Sequence, residues 1–321
     1  MNHLLVTGAN GFVGRVVCRR ALESGYRVTA LVRRAGGGVD GVDEWVHGAA
    51  DFEGIETAWP GGAAIDCVIH LAARVHVMRD EVPDPEAAFE ATNVAATLRL
   101  AEAARRQGAR RTVFASSIKA LGEGDHGVPL TERMRPDPQD AYGRSKLRAE
   151  QQLAGFAAST GLEVVVVRPP LVYGPAVRAN FLRMMDAVAR GVPLPLAAIK
   201  ARRSIVYVDN LADALLHAAT DPRAAGECFH VADDDPPTVP GLLGMVGDAL
   251  GRPARLFPVP PALLGAIGML TGRSATIDRL TGNLRLDTRR IGHVLRWQAP
   301  YSTRQGLEVT AAWYRSRDTK K

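Results

Sequence analysis

The sequence is poor in cysteine and has no long apolar run. Its 321 residues include three cysteines, Cys18, Cys67 and Cys228, which are odd in number and form no Cys-x-x-Cys pair. This usage excludes a disulfide scaffold and a cysteine-bound zinc site, and we expect no metal site. Reduced, buried thiols of this kind are typical of a cytoplasmic protein.

No stretch is long enough for a transmembrane helix. The most apolar later segment, residues 258–270 (PVPPALLGAIGML), holds three prolines and two glycines and is too short to span a bilayer. We expect a short helix that covers a pocket or a partner, without membrane contact. The chain enters an apolar strand by Leu4 without a charged region and cleavage site before it, so we expect no signal peptide.

Basic clusters are scarce, although the net charge is +6 and the isoelectric point is near 9.5. The lysines and arginines are scattered, and the densest group, at 314–321 (YRSRDTKK), is typical of a solvated tail. We therefore expect no nucleic-acid partner. A phosphorylated small ligand explains the excess of positive charge more simply.

Apolar strands alternate with helices in the N-terminal half. The strand segments are 3–8, 27–32, 43–51, 65–73, 111–117 and 162–169, and the main helical segments are 12–25, 84–108 and the run that follows Tyr142. This alternation predicts parallel strands with right-handed crossovers, hence an α/β fold with a doubly wound sheet.

The first strand ends in TGANGFVG, which places Gly8, Gly11 and Gly14 at a strand–turn–helix junction. In this pattern the first glycine permits the tight turn, the second lets the backbone approach a pyrophosphate, and the third lets helix and strand pack closely. The N–H groups and positive dipole of the helix N-terminus then face the phosphates. At the first junction of a parallel sheet, this otherwise weak motif predicts a dinucleotide site.

The domain organisation follows from this site and from the prolines that recur beyond Pro170. We predict a dinucleotide-binding Rossmann domain over 1–170 and a smaller, mostly helical substrate domain over 171–321. Two segments, 204–208 with the helix after it and 227–232, are predicted to return to the large sheet.

The end of the second strand indicates which dinucleotide is bound. An NAD site favours a carboxylate there, but the sequence has Val32 followed by Arg33 and Arg34. Two guanidinium groups suit a 2′-phosphate, so NADP(H) is favoured and NAD(H) remains possible. The alternative is a pair of exposed loop arginines. Asp51, at the predicted end of the third strand, is interpreted either as an adenine contact or as a helix cap.

Tyr142 and Lys146 are four residues apart and fall on one helix face. A lysine ammonium near a phenol favours the phenolate, whose pKa is otherwise near 10. Lowering that pKa to about 7 requires roughly 4 kcal/mol of preferential stabilisation of the phenolate. A positively charged nicotinamide ring nearby has the right sign to contribute. The alternative is an ordinary amphipathic helix face.

Five segments in order resemble the extended short-chain dehydrogenase/reductase family, in particular its NAD-dependent epimerases and dehydratases. They are TGANGFVG (7–14), HLAA (70–73), FASSIKALGE (114–123), YGRSK (142–146) and RPPLVYGP (168–175). Among these enzymes the chain is most similar to nucleotide-sugar 4-epimerases and 4-ketoreductases. As a set, the segments are specific and span most of the predicted large domain.

The resemblance implies a catalytic Tyr142 as general acid/base, a Lys146 that also holds the nicotinamide ribose, and a serine at the end of the fifth strand. Ser116 and Ser117 are both candidates, and the family spacing selects Ser117. Leu121 stands where the family often has tyrosine, which changes the expected sugar pocket.

The resemblance also implies further ligands. Beyond the three glycines, the implied cofactor-binding residues are Phe12, Arg33, Arg34, Asp51, Phe52, Leu71, Ala72, Ala73, Asn93, Tyr142, Lys146 and Pro169. Ser117, Asn180, Arg203 and Arg279 are implied to bind the substrate, the last three through a diphosphate that links nucleotide and sugar. Asp213 is implied as a structural anchor, and His76 either faces the sugar or has no role.

Three reactions share this scaffold. A 4,6-dehydratase has Asp-Glu after the strand-end residue, whereas Ile118 and Lys119 follow Ser117, so dehydration is not expected. We expect C4 redox chemistry on a UDP- or dTDP-linked, 6-deoxy hexose in cell-surface polysaccharide or O-antigen synthesis. The arginines favour a 4-ketoreductase; a 4-epimerase with tightly bound NAD is the alternative, and a non-catalytic dinucleotide sensor is a remote one. A homodimer through the helices at 84–108 and 141–160 is expected from the resemblance.

Overall fold

A parallel sheet of seven strands forms the centre of the protein. The computed structural model describes residues 3–59, 64–75, 83–272 and 274–318. Nine strands lie in these ranges: β1 (His3–Thr7), β2 (Arg27–Val32), β3 (Asp43–Val46), β4 (Cys67–His70), β5 (Arg111–Ala115), β6 (Glu163–Arg168), β7 (Leu171–Tyr173), β8 (Ile205–Tyr207) and β9 (Cys228–His230). The large sheet has the order β3-β2-β1-β4-β5-β6-β9, with every pair parallel.

Helices cover both faces of this sheet. They are α1 (Phe12–Glu23), α2 (Pro85–Phe89), α3 (Ala96–Arg106), α4 (Ala141–Thr160), α5 (Ala179–Ala189), α6 (Val208–Thr220), α7 (Val239–Leu250), α8 (Pro261–Leu270), α9 (Ser274–Thr281), α10 (Arg289–Leu295) and α11 (Thr303–Asp318). A π-helical turn, Glu90–Ala95, joins α2 to α3. The predicted α/β fold with a doubly wound parallel sheet is confirmed.

The central strands β1, β4 and β5 are buried along almost their whole length because both faces of the sheet are covered there. Successive side chains of a strand point to opposite faces. In β1, Leu4 and Val6 pack with residues of α1 and α6, while Leu5 packs on the other face with residues of α3. All five residues of β1 are buried. The sheet therefore holds the carboxyl ends of its strands at one edge between two helical layers.

One strand prediction is wrong. The segment 204–208 was predicted to return to the large sheet, but β8 pairs in parallel with β7 in a separate two-stranded sheet. The segment 227–232 does return, since β9 pairs with β6. The helix after β8, α6, also packs where it was predicted, against the large sheet and α1.

A second apolar core lies around this small sheet. It combines buried residues of β7 and β8 with others from α5, α7, α8 and α11. The short helix predicted in 258–270 is α8, which buries Leu264 and exposes Leu263 and Ile267. No helix in the described ranges has the length and apolar character needed to cross a membrane. The domain boundary at residue 170 stays a prediction.

The connection pattern places a crevice at the carboxyl edge of the sheet. From β1 the chain moves outward to β2 and β3, and it then returns to β4 on the other side of β1. The loops that follow β1 and β4 therefore diverge at this point. Ligands of doubly wound sheets bind in such a crevice.

Candidate active site

The glycine-rich turn lies at the carboxyl end of β1. Gly8 has φ = +65°, and a Cβ atom there would lie 2.9 Å from the backbone nitrogen of Ala72. A Cβ atom on Gly14 would lie 2.2 Å from the Gly8 carbonyl oxygen, so α1 packs this closely only without a side chain. Gly11 leaves the N–H groups of the first turn of α1 uncapped by any side chain. These features fit the pyrophosphate of a dinucleotide.

The two arginines after β2 are exposed. Arg33 and Arg34 make no ion pair or hydrogen bond with the residues that the structure describes. A phosphate group at this edge of the sheet would meet two guanidinium groups without displacing a carboxylate.

Asp51 has a partner that the sequence did not reveal. It lies in a turn beyond the end of β3 at Val46, and not at the strand end as predicted. Its Oδ2 accepts a hydrogen bond of 2.9 Å from Nη1 of Arg99, and this hydrogen bond lowers the pKa of the carboxyl group. Neighbouring Phe52 has φ = +57° and a buried ring. The Asp51 carboxylate thus holds this turn against α3.

Thr7, the last residue of β1, ties the end of β4 to the glycine-rich turn. Its Oγ1 accepts the N–H groups of Leu71 at 3.1 Å and of Ala72 at 3.0 Å. The same hydroxyl lies 2.7 Å from Nδ1 of His70. Segment 71–73, predicted to contact the cofactor, is therefore held at the crevice between β1 and β4.

The His70 ring continues this hydrogen-bonded chain toward α3. Its Nε2 lies 2.9 Å from Oγ1 of Thr97, which itself donates to the backbone carbonyl of Asn93 at 2.7 Å. Nε2 must therefore carry the proton, and Nδ1 accepts from Thr7. Burial, with the Lys146 charge adding to it, lowers the pKa of His70 to about 3, so the ring is neutral.

Asn93, predicted to bind the cofactor, uses its side-chain amide in hydrogen bonds within the protein. It lies in the π-helical turn Glu90–Ala95 and is buried. Its Oδ1 accepts the N–H of Arg74 at 2.8 Å, while its Nδ2 donates to the carbonyl of Arg74 at 2.9 Å and to Oγ of Ser145 at 3.0 Å. Both amide N–H groups are thus used, and Asn93 fixes the segment after β4 against α4. A direct contact with a cofactor stays a prediction.

The structure brings the three predicted catalytic residues together. The Ser117 hydroxyl lies beside the Tyr142 phenol, close enough to favour the phenolate. Lys146, one turn along α4, donates from Nζ to the carbonyl of Ala115 at 2.8 Å, and Nζ lies 4.4 Å from the ring centroid of Phe114. Nζ is 6.0 Å from the Tyr142 ring centroid. This group lies beyond the carboxyl end of β5, two strands from the glycine-rich turn.

The protein's own groups do not make the phenol acidic. Burial raises the pKa of Tyr142 to about 12; the neighbouring Ser117 hydroxyl opposes this effect, and the Asp140 charge adds to it. Burial also lowers the pKa of Lys146 to about 7. The expected shift of the phenol toward 7 therefore does not arise in the protein alone, because burial penalises both charged forms.

The choice between the two serines follows from their partners. Ser117 contacts the Tyr142 phenol, whereas Ser116 points away and donates to Oε1 of Glu150 at 2.5 Å. Leu121, in place of the family tyrosine, is buried. The geometry agrees with the choice of Ser117 made from the family spacing.

Two of the three predicted diphosphate ligands lie together. Nη1 of Arg203 donates to the carbonyls of Arg279 at 2.7 Å and Gly282 at 3.0 Å, at the end of α9. The Arg279 guanidinium is paired with Glu123, with Nε 2.8 Å from Oε2. Asn180 is exposed in the first turn of α5. His76 lies outside the described residues.

Sequence reasoning missed the charged residues around the start of α4. Lys119 Nζ lies 2.9 Å from Oε1 of Glu123 and 2.5 Å from Oδ2 of Asp140, whose Oδ1 caps α4 by accepting the N–H of Gly143. The opposite charges of Lys119 and Glu123, four residues apart, were an available signal. Among the described residues no three His, Cys, Asp or Glu side chains are grouped as metal ligands.

The chain is similar in sequence and in structure to several known proteins. The sequence model of the family described as "NAD dependent epimerase/dehydratase family" matches residues 4–232. A UDP-glucose 4-epimerase from Vibrio cholerae is 36% identical over 315 residues, covering 96% of this chain and 94% of that protein. A 3-diazoavenalumate denitrifying reductase from a Streptomyces species is 31% identical, covering 78% and 82%. The structure of MoeE5 in complex with UDP-glucose and NAD is similar with a TM-score of 0.75 and 26% identity, covering 98% and 99%.

Proposed function

Because the chain belongs to the NAD-dependent epimerase/dehydratase family, we propose that it catalyses C4 redox chemistry on a nucleoside-diphosphate sugar, as a 4-epimerase that retains NAD. The observation that carries the proposal is the contact of Ser117 with the Tyr142 phenol beside Lys146, at the edge that also bears the glycine-rich turn. The Vibrio cholerae relative is named as a UDP-glucose 4-epimerase and aligns with this chain over 94% of its own length, which supports this choice of reaction.

The roles of the residues follow from their positions. Ser117 holds the reacting sugar oxygen, and Tyr142 takes its proton as C4 is oxidised and returns it as C4 is reduced. Lys146 favours the phenolate by its charge. The nicotinamide dinucleotide, when bound along Gly8, Gly11 and Gly14, supplies the hydride acceptor and donor together with a positive charge.

A 4-ketoreductase is the second candidate function. It is favoured by Arg33 and Arg34, which lie exposed at the end of β2, where a 2′-phosphate binds in dinucleotide sites. A reductase consumes its cofactor, and NADPH is the more frequent reductant. With either candidate, the proposed process is O-antigen or other cell-surface polysaccharide synthesis.

Identification of the bound cofactor tests the proposal. We expect the purified protein, after denaturation, to release NAD in a ratio near one per chain, and the native protein to interconvert UDP-glucose and UDP-galactose without added cofactor. An empty site that binds NADPH and oxidises it with a 4-keto nucleotide sugar would replace the first candidate with the second. A protein that neither holds nor binds a nicotinamide dinucleotide contradicts both.

The diphosphate part of the substrate is tested by Arg203→Ala. One charge-assisted hydrogen bond contributes about 1.5–3 kcal/mol, so we expect KM for the nucleotide sugar to rise about 10- to 100-fold. Cofactor affinity should not change. Steady-state kinetics with the nucleotide sugar and a fluorescence titration with the cofactor measure the two effects.

Arg202→Ala is the matched control for this variant. Arg202 is the neighbouring arginine, and it donates from Nη1 to the carbonyl of Pro236 at 2.8 Å on the surface. Thermal melting of both variants separates substrate contact from support of α9, since Arg203 also donates to Gly282. An unchanged KM in Arg203→Ala would contradict a contact between Arg203 and the substrate diphosphate.

A further inference from the structure

Three successive turns of α4 are bonded to three successive residues at the end of β5. Tyr142, Lys146 and Glu150 are four residues apart and lie on one face of the helix. Within 115–117, a serine hydroxyl meets the phenol, a backbone carbonyl meets the ammonium, and the other serine hydroxyl meets the carboxylate. The first two pairs belong to the proposed catalytic group, and the third has no role in it so far.

The Glu150 carboxylate accepts hydrogen bonds from three donor atoms. Its Oε1 accepts Oγ of Ser116 at 2.5 Å and Nε of Arg168 at 2.9 Å, and its Oε2 accepts Nη2 of Arg168 at 2.5 Å. Both side chains of the ion pair are only 8% exposed. A forked pair of this kind fixes the carboxylate in one orientation. On the β9 side it faces Cys228, whose thiol stays neutral because burial raises its pKa to about 12.

A buried ion pair is a costly way to hold a fold together. Its desolvation offsets most of the Coulomb attraction, and apolar side chains of similar volume are often as stable. Here the pair joins the part of the structure that carries the catalytic serine. Arg168 ends β6, and the carbonyl of the next residue, Pro169, accepts the N–H of Ile118 at 2.9 Å. Through Arg168 and Pro169, Glu150 therefore holds the turn that follows Ser117 in place.

Glu150 is also the anion that faces Lys146. The other groups against this ammonium are the Phe114 ring, the phenol of Tyr142 and the neutral His70 ring. Burial disfavours the charged lysine, and the Glu150 carboxylate one helical turn away opposes that effect.

We propose that Glu150 is a positioning residue for the reaction: its carboxylate, anchored by Arg168, favours the protonated form of Lys146 and holds the serine turn against Tyr142. The inference deepens the proposed function and rests on it. Under this proposal, the carboxylate that favours the charged lysine lies one helical turn beyond Lys146 on α4 and does not itself contact the substrate.

Glu150→Gln tests the proposal because it keeps the shape of the side chain and an acceptor for Ser116 but removes the charge. Without the anion, Lys146 loses its proton at a lower pH. We expect the alkaline limb of the kcat profile to move down by about one pH unit, with a loss in kcat of about tenfold at pH 8. The affinity for the cofactor should change less than about threefold. Glu150→Asp, which keeps the charge, should retain the parent position of the limb.

A second variant covers the case in which Glu150→Gln fails to fold with Arg168 left unpaired. The double variant Glu150→Gln/Arg168→Gln removes both charges, and it should show a smaller displacement in the same direction, because the carboxylate is the charge next to Lys146. A uniform loss of kcat with an unmoved profile in either variant overturns the proposal and leaves Glu150 with packing alone.

A readout without turnover separates this inference from the proposed function. Lys146 has a lower pKa in the folded protein, about 7, than in the unfolded chain, where it is 10.5. Between these values the unfolded state binds more protons, so the Lys146 contribution to the free energy of unfolding rises with pH. In Glu150→Gln this rise should begin below pH 7. Inactivity of the parent on every nucleotide sugar would refute the function, whereas an identical onset of the rise in parent and variant would refute the inference.

Discussion

Replacing Tyr142 with phenylalanine should abolish turnover and leave cofactor binding intact. The ring has a packing contact that needs no hydroxyl, since it lies edge-on to Phe89 with 6.1 Å between centroids. The variant loses the group that exchanges a proton with the sugar oxygen. General acid–base catalysis contributes about 10²–10⁴ in rate, and we expect kcat to fall at least about 10³-fold. Steady-state kinetics with the nucleotide sugar measure the loss of kcat, and the amount of bound dinucleotide measures cofactor binding.

The size of this effect depends on how the phenol is activated. In the protein alone its pKa is about 12, and the neighbouring ammonium has a pKa near 7. The positive charge still needed would come from an oxidised nicotinamide ring, if the dinucleotide binds along the glycine-rich turn as proposed. A phenylalanine has no proton to exchange at any pH, so no change of buffer should restore activity to Tyr142→Phe.

Tyr26→Phe provides the matched control. Tyr26 is partly buried against the core between α1 and the sheet, away from the β5 edge, and should retain parent kinetics. If Tyr142→Phe kept even a tenth of the parent kcat, the assignment of the proton carrier would fail. If the variant instead lost its bound dinucleotide, the main role of Tyr142 would be to bind the cofactor.

The parts of the site that the sequence predicted are those set by local patterns. Glycine spacing after an apolar strand led directly to Gly8 and Gly14, because the close approach of strand, turn and helix leaves no room for a Cβ atom. Helix periodicity put Tyr142 and Lys146 on one face before any fold was known. The resemblance to the family then separated Ser117 from Ser116.

The parts that the sequence did not predict depend on partners distant in the chain. The pairing of Asp51 with Arg99, 48 residues away, was not predicted. The pairing of Arg279, a predicted phosphate ligand, with Glu123, 156 residues away, was not predicted either. No periodicity encodes such pairings, because each depends on which loops the sheet brings side by side.

The misplaced strand has a similar cause. The apolar run in 204–208 has the composition of a buried strand in any sheet, and its pattern carries no information on its neighbour. The pairing is decided by Leu171–Tyr173, which leaves the large sheet directly after β6 and offers its own free edge to β8. The edge of β6 is then taken by β9.

Gly14→Ala should remove most of the dinucleotide binding. The added Cβ atom would lie 2.2 Å from the Gly8 carbonyl oxygen and 2.7 Å from Cα of Ala9, both backbone atoms that no side-chain rotation can move. Helix α1 must then shift away from the turn, and its N-terminal N–H groups lose their aim at the pyrophosphate. We expect dinucleotide affinity to fall at least about 100-fold, the equivalent of losing one or two charge-assisted hydrogen bonds. Equilibrium titration with NAD and with NADP, at a temperature where the variant is folded, measures this loss.

Gly155→Ala is the matched control because it makes the same chemical change in a helix where, apart from the adjacent helix backbone, no atom lies within 4 Å of the new Cβ atom. Removal of a helical glycine there should stabilise the fold by about 0.5–1 kcal/mol without altering dinucleotide affinity. A Gly14→Ala protein with parent affinity would mean that the cofactor does not bind at the β1 turn. The Thr7–His70 hydrogen bond holds the end of β4 against the glycine-rich turn, in the crevice between β1 and β4. If the dinucleotide did not bind in this crevice, its proposed position relative to Tyr142 would also be wrong.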